Sequence, residues 1–270
     1  MSQRIDERIA ERYVDLSPQE RKAAETLLEH LDDLATYRSA ELAGLAGVSK
    51  ATMSRLFRSL GFADFDEVRD HLRGLRSAGE PRRVDGAPSL LAHLAHEQES
   101  LGQALDSPVI PAVVDVLARS RRVLVVGWRN SHPVALHLRQ QLVHARTDVR
   151  IAPLPGQVVG EELADLAPGD AVVVVGFRRR PARFGDFLRE AGRTGATVVL
   201  VSDPTGRIHA TDAAYWLECP VDSTLAFDSY AAAMSVVSVV SDGVLSALGR
   251  PARERVADIS GTYTRLAEVE

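Results

Sequence analysis

Apolar residues recur at helical spacing through the first third of the chain. A clear helix start precedes them: Ser17 is a predicted N-cap, Pro18 takes the first helical position, and Glu20 completes a capping box. The pattern predicts a helical unit over residues 16–37. Its buried stripe is expected to consist of Ala23, Ala24, Leu27, Leu28, Leu31 and Leu34.

The next segment, SAELAGLAGVSKATMSRLFRSLG, predicts two short helices joined by a tight turn. Ser39 is the expected N-cap of the first helix, which ends near Ala46. Gly47 gives the turn its backbone freedom. Ser49 is expected to cap the second helix, which runs to about Leu60.

The second of these helices has an apolar back and a polar front. Its back carries Met53, Leu56 and Phe57, which would dock on the rest of the unit. This division is typical of a DNA recognition helix, although an ordinary helical hairpin with a solvated front has the same pattern. The residues predicted to contact DNA are Ser39, Ser49, Lys50, Ala51, Thr52, Ser54, Arg55 and Arg58.

Downstream residues complete an all-helical N-terminal domain over residues 1–76. A further helix is expected to carry Phe62, Phe65, Val68 and Leu72 under the two short helices. Residues 77–88 are rich in glycine, proline and charge and predict a linker. Residues 89–104 predict a connecting helix that either bridges the domains or pairs with its copy in a second chain.

From residue 121 the pattern changes to strands that alternate with helices. Runs such as VLVVG and VVVVG are apolar at every position, as strands buried on both faces require. We therefore predict an α/β domain over residues 105–250, with a parallel five-stranded sheet flanked by helices, and a polar helical tail over residues 251–270. The long apolar helix near its end is a candidate dimer interface through Tyr230, Met234, Val237 and Val240.

Composition and charge fit a cytoplasmic DNA-binding protein. The formal net charge is −5, but residues 38–61 contain four basic residues against one acidic residue, a local charge of 4 − 1 = +3. So modest a charge argues for two DNA-reading heads, hence a dimer or a larger homo-oligomer. The polar N-terminus predicts no signal peptide, and we expect no membrane span.

Metal and cofactor chemistry have little support. The only cysteine, Cys219, follows an apolar stretch and predicts a buried structural thiol. His137 and His144 lie two helical turns apart, too far to share a metal ion. No metal site, cofactor or catalytic residue is therefore predicted. Asp228 is expected to cap the last helix or to lie at the edge of a pocket.

Two motif-bearing stretches connect the N-terminal domain to a known family. The strings AELAGLAGVSKATMSRLFRSLGF and FDEVRDHL resemble the N-terminal domain of RpiR-type (MurR/RpiR) transcriptional regulators. The order of elements from VLVVG to the long terminal helix resembles the sugar isomerase (SIS) domain of those regulators. The resemblance implies a homodimer or homotetramer that binds double-stranded operator DNA and responds to a phosphorylated sugar.

The chain departs from this family where a phosphosugar would bind. SIS domains that hold a sugar phosphate usually carry a loop of the form Ser-x-Ser-Gly-x-Thr, and this chain has VGFRRRP at that place. Arginine grips carboxylates and phosphates bidentately, and aromatic rings stack on planar groups. We therefore expect a small anionic effector, a carboxylate or a phosphorylated compound, although some arginines would instead pair with nearby acids or remain solvated. The predicted effector residues are Trp128, Arg129, Asn130, Ser131, Phe177, Arg178, Arg179, Arg180, Arg183 and Glu161.

Two functions of different classes remain open from the sequence. The first is a transcriptional regulator whose SIS-like domain senses a small anion. The second is a sugar-phosphate isomerase-type enzyme, which would need a base beside a phosphate loop. The exchanged loop and the attached helix-turn-helix unit both favour the regulator.

Overall fold

The computed structural model describes residues 5–30, 34, 37–78 and 89–269, apart from the side chains of residues 6, 7 and 73–78. The chain divides into two compact units, 1–87 and 88–270. The predicted linker, 77–88, lies mostly outside the described residues. Its first two positions, Ser77 and Ala78, close a helix and are not linker.

The first unit is helical throughout its described part. Its elements are α1 (Ile5–Arg12), a 3-10 turn (Tyr13–Asp15), α2 (Pro18–Glu29), α3 (Ser39–Leu45), α4 (Lys50–Ser59) and α5 (Phe65–Ala78). One apolar core joins them, and it includes Ile5, Ile9, Leu27, Leu34, Met53, Phe57 and Val68. Every one of these α-helices contributes to that core, α3 through Leu42 and Ala43, and Tyr13 of the 3-10 turn packs against it.

The start of α2 confirms the predicted capping box. The Ser17 hydroxyl accepts the Glu20 N–H at 3.4 Å, and the Glu20 carboxylate accepts the Ser17 N–H at 3.0 Å. The end of α2 was predicted wrongly, because the helix stops at Glu29. Leu28 is 40% exposed and does not belong to the buried stripe. Leu31 lies outside the described residues.

Ser39 is not a helix cap as predicted. It is the first residue of α3, and Arg38 precedes it as the N-cap. The Glu41 carboxylate accepts the Arg38 N–H at 2.7 Å, which satisfies one of the free donors at this helix start. The α1 helix lies within the domain predicted to be all helical, but it was not predicted as a separate element, because its two buried residues, Ile5 and Ile9, stand in an otherwise polar stretch.

The second unit is a parallel five-stranded sheet with helices on both faces, as predicted. The strand order is β2-β1-β3-β4-β5, with β1 (Val123–Gly127), β2 (Val149–Ala152), β3 (Ala171–Val175), β4 (Thr197–Ser202) and β5 (Tyr215–Glu218). The helices are α6 (Leu90–Leu105), α7 (Ile110–Arg119), α8 (Ser131–Ala145), α9 (Val159–Leu163), α10 (Phe184–Arg193), α11 (Ala231–Leu248) and α12 (Arg250–Leu266). A 3-10 segment, Pro204–Asp212, follows β4.

The two faces of the sheet belong to two separate apolar cores. All five residues of β1 and all five of β3 are buried. Alternate residues point to opposite faces, so Val123 and Val125 pack with α7, α8 and α11, whereas Leu124 and Val126 pack with α10. Burial on both sides explains why these strands are uniformly apolar.

The long apolar helix α11 is a core element of its own chain. Val237 and Val240, predicted at a dimer interface, are buried against the sheet side of this core, so they are not available to a partner. Tyr230 precedes the helix, which begins at Ala231. By length and composition α11 is apolar enough to cross a membrane. It instead packs against α6, α7 and α8, as the core helix of a folded domain does.

The flanking helices also belong to the second unit. The predicted connecting helix is α6, which Ser89 caps and which packs against α11. The predicted tail is the helix α12, which packs against α8 and α11.

We expect Gly127→Ala at the end of β1 to destabilise the second unit. A Cβ there would lie 2.8 Å from both the Ala135 Cβ and the Ser131 carbonyl oxygen. Overpacking of this kind costs about 1–3 kcal/mol. Urea unfolding followed by tryptophan fluorescence measures the loss, since Trp128 and Trp216 both lie in this unit.

The matched control is Gly102→Ala within α6, where nothing lies within 4 Å of the added Cβ. This change should leave the unfolding midpoint unaltered or raise it, because alanine favours a helix interior by about 1 kcal/mol over glycine. Equal midpoints for the two variants would contradict the close approach at Gly127.

Candidate DNA-binding face and ligand site

The turn between α3 and α4 forms as the sequence predicts. Gly47 has a φ of +58°, in the left-handed region that glycine adopts without strain. Its N–H donates to the Gly44 carbonyl at 3.0 Å, and the Val48 N–H donates to the Ala43 carbonyl at 3.0 Å. The Ser49 hydroxyl then accepts the Thr52 N–H at 3.1 Å, which confirms Ser49 as the cap of α4.

Helix α4 has a buried back and an exposed, cationic front. Met53, Leu56 and Phe57 are buried in the core of the first unit. Lys50, Ala51, Arg55 and Arg58 are exposed and Ser54 is half-buried. The ten residues of α4 include three basic and no acidic side chains. Such a face attracts phosphates and leaves polar groups free to reach base edges.

Thr52 does not belong to this front face, contrary to the prediction. Its side chain is only 6% exposed. The Thr52 Oγ1 lies 2.9 Å from the Ser49 Oγ and accepts a hydrogen bond from Arg55 Nη2 at 3.3 Å. Through this hydrogen bond, the buried Thr52 side chain helps to orient the exposed Arg55 side chain. Ser39 is half-buried at the start of α3, and the Ser49 hydroxyl is already used by the cap.

Residues that the sequence analysis missed hold the far end of α4. Arg12 Nη1 donates to the Ser59 carbonyl at 2.5 Å, and Arg8 Nη1 donates to the Leu60 carbonyl at 3.1 Å. Cations are favourable there because a helix C-terminus carries partial negative charge. The Ser59 hydroxyl also donates to Glu20 at 3.2 Å. The pKa of Glu20 is lowered, chiefly by its hydrogen bond from Ser17.

In the second unit, a half-buried ion pair lies at the carboxyl edge of the sheet. Arg178, in the loop after β3, pairs with Asp228, which lies just before α11. The Arg178 side chain is 10% exposed. Burial raises the pKa of Asp228, an effect larger than the lowering that Arg178 causes. The two charges are therefore held together at a considerable desolvation cost.

Two neutral hydrogen-bonding groups lie at the same ion pair. The Tyr230 hydroxyl forms a side-chain hydrogen bond with Asn130, from the loop after β1. Burial raises the pKa of Tyr230, and the nearby Asp228 raises it further. Asn130, Arg178, Asp228 and Tyr230 thus form one polar group, which we call the edge cluster. Asp228 is not the cap of α11, since Tyr230 holds the cap position.

Both predicted aromatic contacts are used within the protein instead. Phe177 is 1% exposed and packs against Tyr230, with ring centroids 5.3 Å apart. Trp128 lies edge-on to Phe187, 5.1 Å between centroids, in the core on the α10 face of the sheet. Phe177 is therefore not available to a ligand, and Trp128 is largely committed to the core.

Ser131, predicted to contact the effector, has a structural role in the fold. It is the first residue of α8, follows Asn130 at the N-cap, and is buried. Its hydroxyl accepts the Phe177 N–H at 3.0 Å. This bond ties the loop after β1 to the loop after β3, where the two strands end side by side.

The predicted cluster of five arginines is divided by the structure. Arg180 donates to the Gly176 carbonyl at 2.8 Å and the Thr205 hydroxyl at 3.0 Å and pairs with buried Asp203, so it ties two loops together. Arg183, the N-cap residue of α10, is 86% exposed and pairs at 2.6 Å with Asp186 in the first turn of that helix. Arg178 joins the edge cluster through its ion pair with Asp228, and Arg179 lies close enough to lower the pKa of that carboxyl.

The remaining predicted residues lie at the surface. Arg129 and Arg179 are exposed and have positive φ values of 53° and 64°. Glu161 is exposed on α9. In the described ranges no group of three or more His, Cys, Asp or Glu side chains could hold a metal ion. Cys219 is buried as predicted, and burial raises its pKa to about 12.

Comparison with known families matches each unit separately. Residues 3–78 match the helix-turn-helix domain of the rpiR family, and residues 116–241 match the SIS domain. The chain is 24% identical over 253 residues to the HTH-type transcriptional regulator HexR of Pseudomonas aeruginosa, covering 88% of each protein. It is 24% identical over 265 residues to HexR of Escherichia coli, covering 93% of this chain and 91% of that protein.

Solved structures show the same fold. The sugar isomerase domain of the RpiR transcription factor from Sphaerobacter thermophilus has a TM-score of 0.56 and 22% identity, covering 65% of this chain and 97% of that one. The Vibrio vulnificus NanR protein, complexed with ManNAc-6P, has a TM-score of 0.59 and 16% identity, covering 96% of this chain and 97% of that one. The chain therefore belongs to the RpiR-type transcriptional regulators, in which a helix-turn-helix domain precedes an SIS domain.

Proposed function

We propose that the front face of α4 reads operator DNA and that a small anion bound at the edge cluster changes this binding. The observation that carries the DNA contact is the exposed face of α4, where Lys50, Arg55 and Arg58 stand without an acidic neighbour on the helix. Relatives that match nearly the whole chain are named as transcriptional regulators, which favours this role over the isomerase alternative.

The division of roles along α4 follows from exposure. Lys50, Ala51 and Ser54 lie toward the start of the helix, where a recognition helix meets base edges. Arg55 and Arg58 extend farther along and suit phosphate contacts, which hold the helix in register. A local charge of +3 supplies few phosphate contacts, so we propose a homodimer or homotetramer that reads two half-sites in the cytoplasm.

The anionic nature of the effector rests on Arg178. The guanidinium of Arg178 lies in the edge cluster, where it pairs with Asp228 from the segment before α11. A phosphate or carboxylate could take the place of Asp228 on Arg178 and accept two hydrogen bonds from its guanidinium. Asn130 and Tyr230 add neutral groups that can hydrogen-bond to hydroxyl or carbonyl oxygens. NanR, a relative in fold, is described with a phosphorylated sugar, ManNAc-6P.

Regulation would then be a shift between two states of the protein. The effector must bind one state better than the other, and only that difference in affinity can alter operator binding. We expect DNA binding to depend on how the second units of the oligomer position the helix-turn-helix units that are attached to them.

Removal of the α4 cations tests the DNA contact. Lys50→Ala and Arg58→Ala should each weaken binding to the DNA upstream of the protein's own gene, by about tenfold or more if a base or phosphate contact is lost. Titrations at several salt concentrations, followed by fluorescence anisotropy, separate the two kinds of contact. Loss of one phosphate contact lowers the slope of log affinity against log salt by about 1.

The matched control for this experiment is Arg193→Ala. Arg193 is equally cationic and exposed, but it lies on α10 of the second unit and pairs with Glu190. Its removal should leave both affinity and salt slope unchanged. If the α4 variants bind as tightly as this control, α4 is not the DNA-reading helix.

A ligand screen tests the edge cluster. Sugar phosphates and small carboxylates are added to the purified protein, and the thermal unfolding midpoint is measured. A ligand present at a hundred times its Kd stabilises the folded state by about 2.7 kcal/mol, which raises the midpoint by a few degrees. Arg178→Ala should abolish the shift, whereas Arg183→Ala should preserve it, since Arg183 pairs on its own helix. An undiminished dose response in Arg178→Ala would place the ligand elsewhere.

A further inference from the structure

The segment between β5 and α11, residues 219–230, contacts both the edge cluster and α6. We call residues 222–228 the β5–α11 loop. Its base is fixed, because the Cys219 N–H donates to the Ser202 carbonyl at 2.8 Å and Val221 is buried. Its two ends are joined by the Ser229 N–H, which donates to the Val221 carbonyl at 2.9 Å. The loop is therefore short, and a hydrogen bond closes it at its base.

One side of this loop is held by the loop after β3. Asp228 pairs with Arg178 across 50 positions of sequence. The ends of the β5–α11 loop are hydrogen-bonded to each other, so the base of the loop resists movement. We therefore expect a displacement of Asp228 to move the neighbouring residues of the loop.

The other side of the loop is held by two histidines of α6. His96 Nε2 lies 3.0 Å from the Asp222 carbonyl oxygen and 3.2 Å from its carboxylate. One turn earlier, His93 Nδ1 lies 3.4 Å from the Thr224 hydroxyl. The same histidine approaches Glu97 on its own helix, with 3.6 Å between Nε2 and Oε1. These contacts lie in the first half of α6, where Leu90, Leu91 and Leu94 are exposed.

No residue in the first half of α6, residues 90–97, is fully buried. The buried positions of the helix, Ser100 and Ala104, both lie in its second half. The loop contacts at His93 and His96 therefore account for much of what fixes the start of α6. This start follows directly on the segment that leads from the helix-turn-helix unit.

We propose that the Arg178–Asp228 ion pair sets the position of the start of α6 through the β5–α11 loop and its contacts with His93 and His96. The inference deepens the proposed function and rests on it for its biological meaning. An anion that takes Asp228's place on Arg178 would free Asp228, loosen the loop and release the start of α6. The covalent route to the DNA-binding unit then changes without any contact between effector and DNA.

Hydrogen exchange on the full chain, read by mass spectrometry, tests this coupling without DNA or effector. Asp228→Asn keeps the size of the side chain and removes its charge. Amides of residues 222–228 and 90–97 should exchange faster together, by about tenfold, the effect expected from the loss of a charged hydrogen bond. Amides of residues 123–127 and 171–175 should be unchanged, which shows that the sheet remains folded.

The matched control is Asp186→Asn. Asp186 also pairs with arginines, Arg183 and Arg189, but on α10 and away from the β5–α11 loop. It should leave residues 90–97 at the wild-type rate. Removing both histidine contacts, by His93→Ala together with His96→Ala, should speed exchange in residues 90–97 by itself. Adding Asp228→Asn should then have no further effect there, because the changes interrupt one path.

The outcomes separate the coupling from the proposed function. Faster exchange in 222–228 with unchanged exchange in 90–97 would overturn the coupling. A further acceleration of residues 90–97 by Asp228→Asn in the variant that lacks both His93 and His96 would also overturn it. Either result leaves the DNA and effector experiments unaffected. Conversely, coupled exchange with no ligand response would preserve the coupling and remove the effector.

Discussion

Burial of β1 and β3 on both faces governs the architecture of the second unit. A strand that is apolar at each position exposes hydrophobic surface on whichever face lacks a cover, so helices must occupy both sides of the sheet. Because all five strands run parallel, their carboxyl ends lie at one edge of the sheet. The polar loops after β1 and β3 can meet only at that edge, and Ser131 joins them there by a single hydrogen bond to Phe177.

What the sequence revealed well were features that depend on neighbouring residues. The capping box of Ser17 and Glu20, the Ser49 cap, the turn at Gly47 and the uniformly apolar strands are local patterns, and the structure has them where they were predicted. What it revealed poorly were contacts between distant segments. Arg178 and Asp228 are 50 residues apart, and Arg180 and Asp203 are 23 apart. A run of three arginines gives no indication of which acid each one meets.

Aromatic residues in the two loops illustrate a second reason for error. Trp128 and Phe177 stand beside polar residues in the sequence, a pattern that suggested a ligand surface. Burying a large aromatic ring in the core is more favourable than leaving it exposed at a binding site, so both rings pack inside the protein. The α1 and α7 helices were missed for a different reason. In α7, Ile110, Val113 and Leu117 stand at helical spacing, so the sequence does indicate a helix there, although none was predicted. In α1, only two apolar residues are buried.

The state of Cys219 has a practical consequence. It is the chain's single cysteine, it is fully buried, and burial raises the pKa of its thiol to about 12, which favours the unreactive protonated form near neutral pH. Thiol reagents should therefore spare it in the folded state. A cysteine introduced at an exposed position of α4 and another on α6 would be the two reactive thiols, so a pair of spectroscopic probes could be attached without first removing a native residue. The separation of the two units, and any change in it, would then be measurable as a distance distribution in solution.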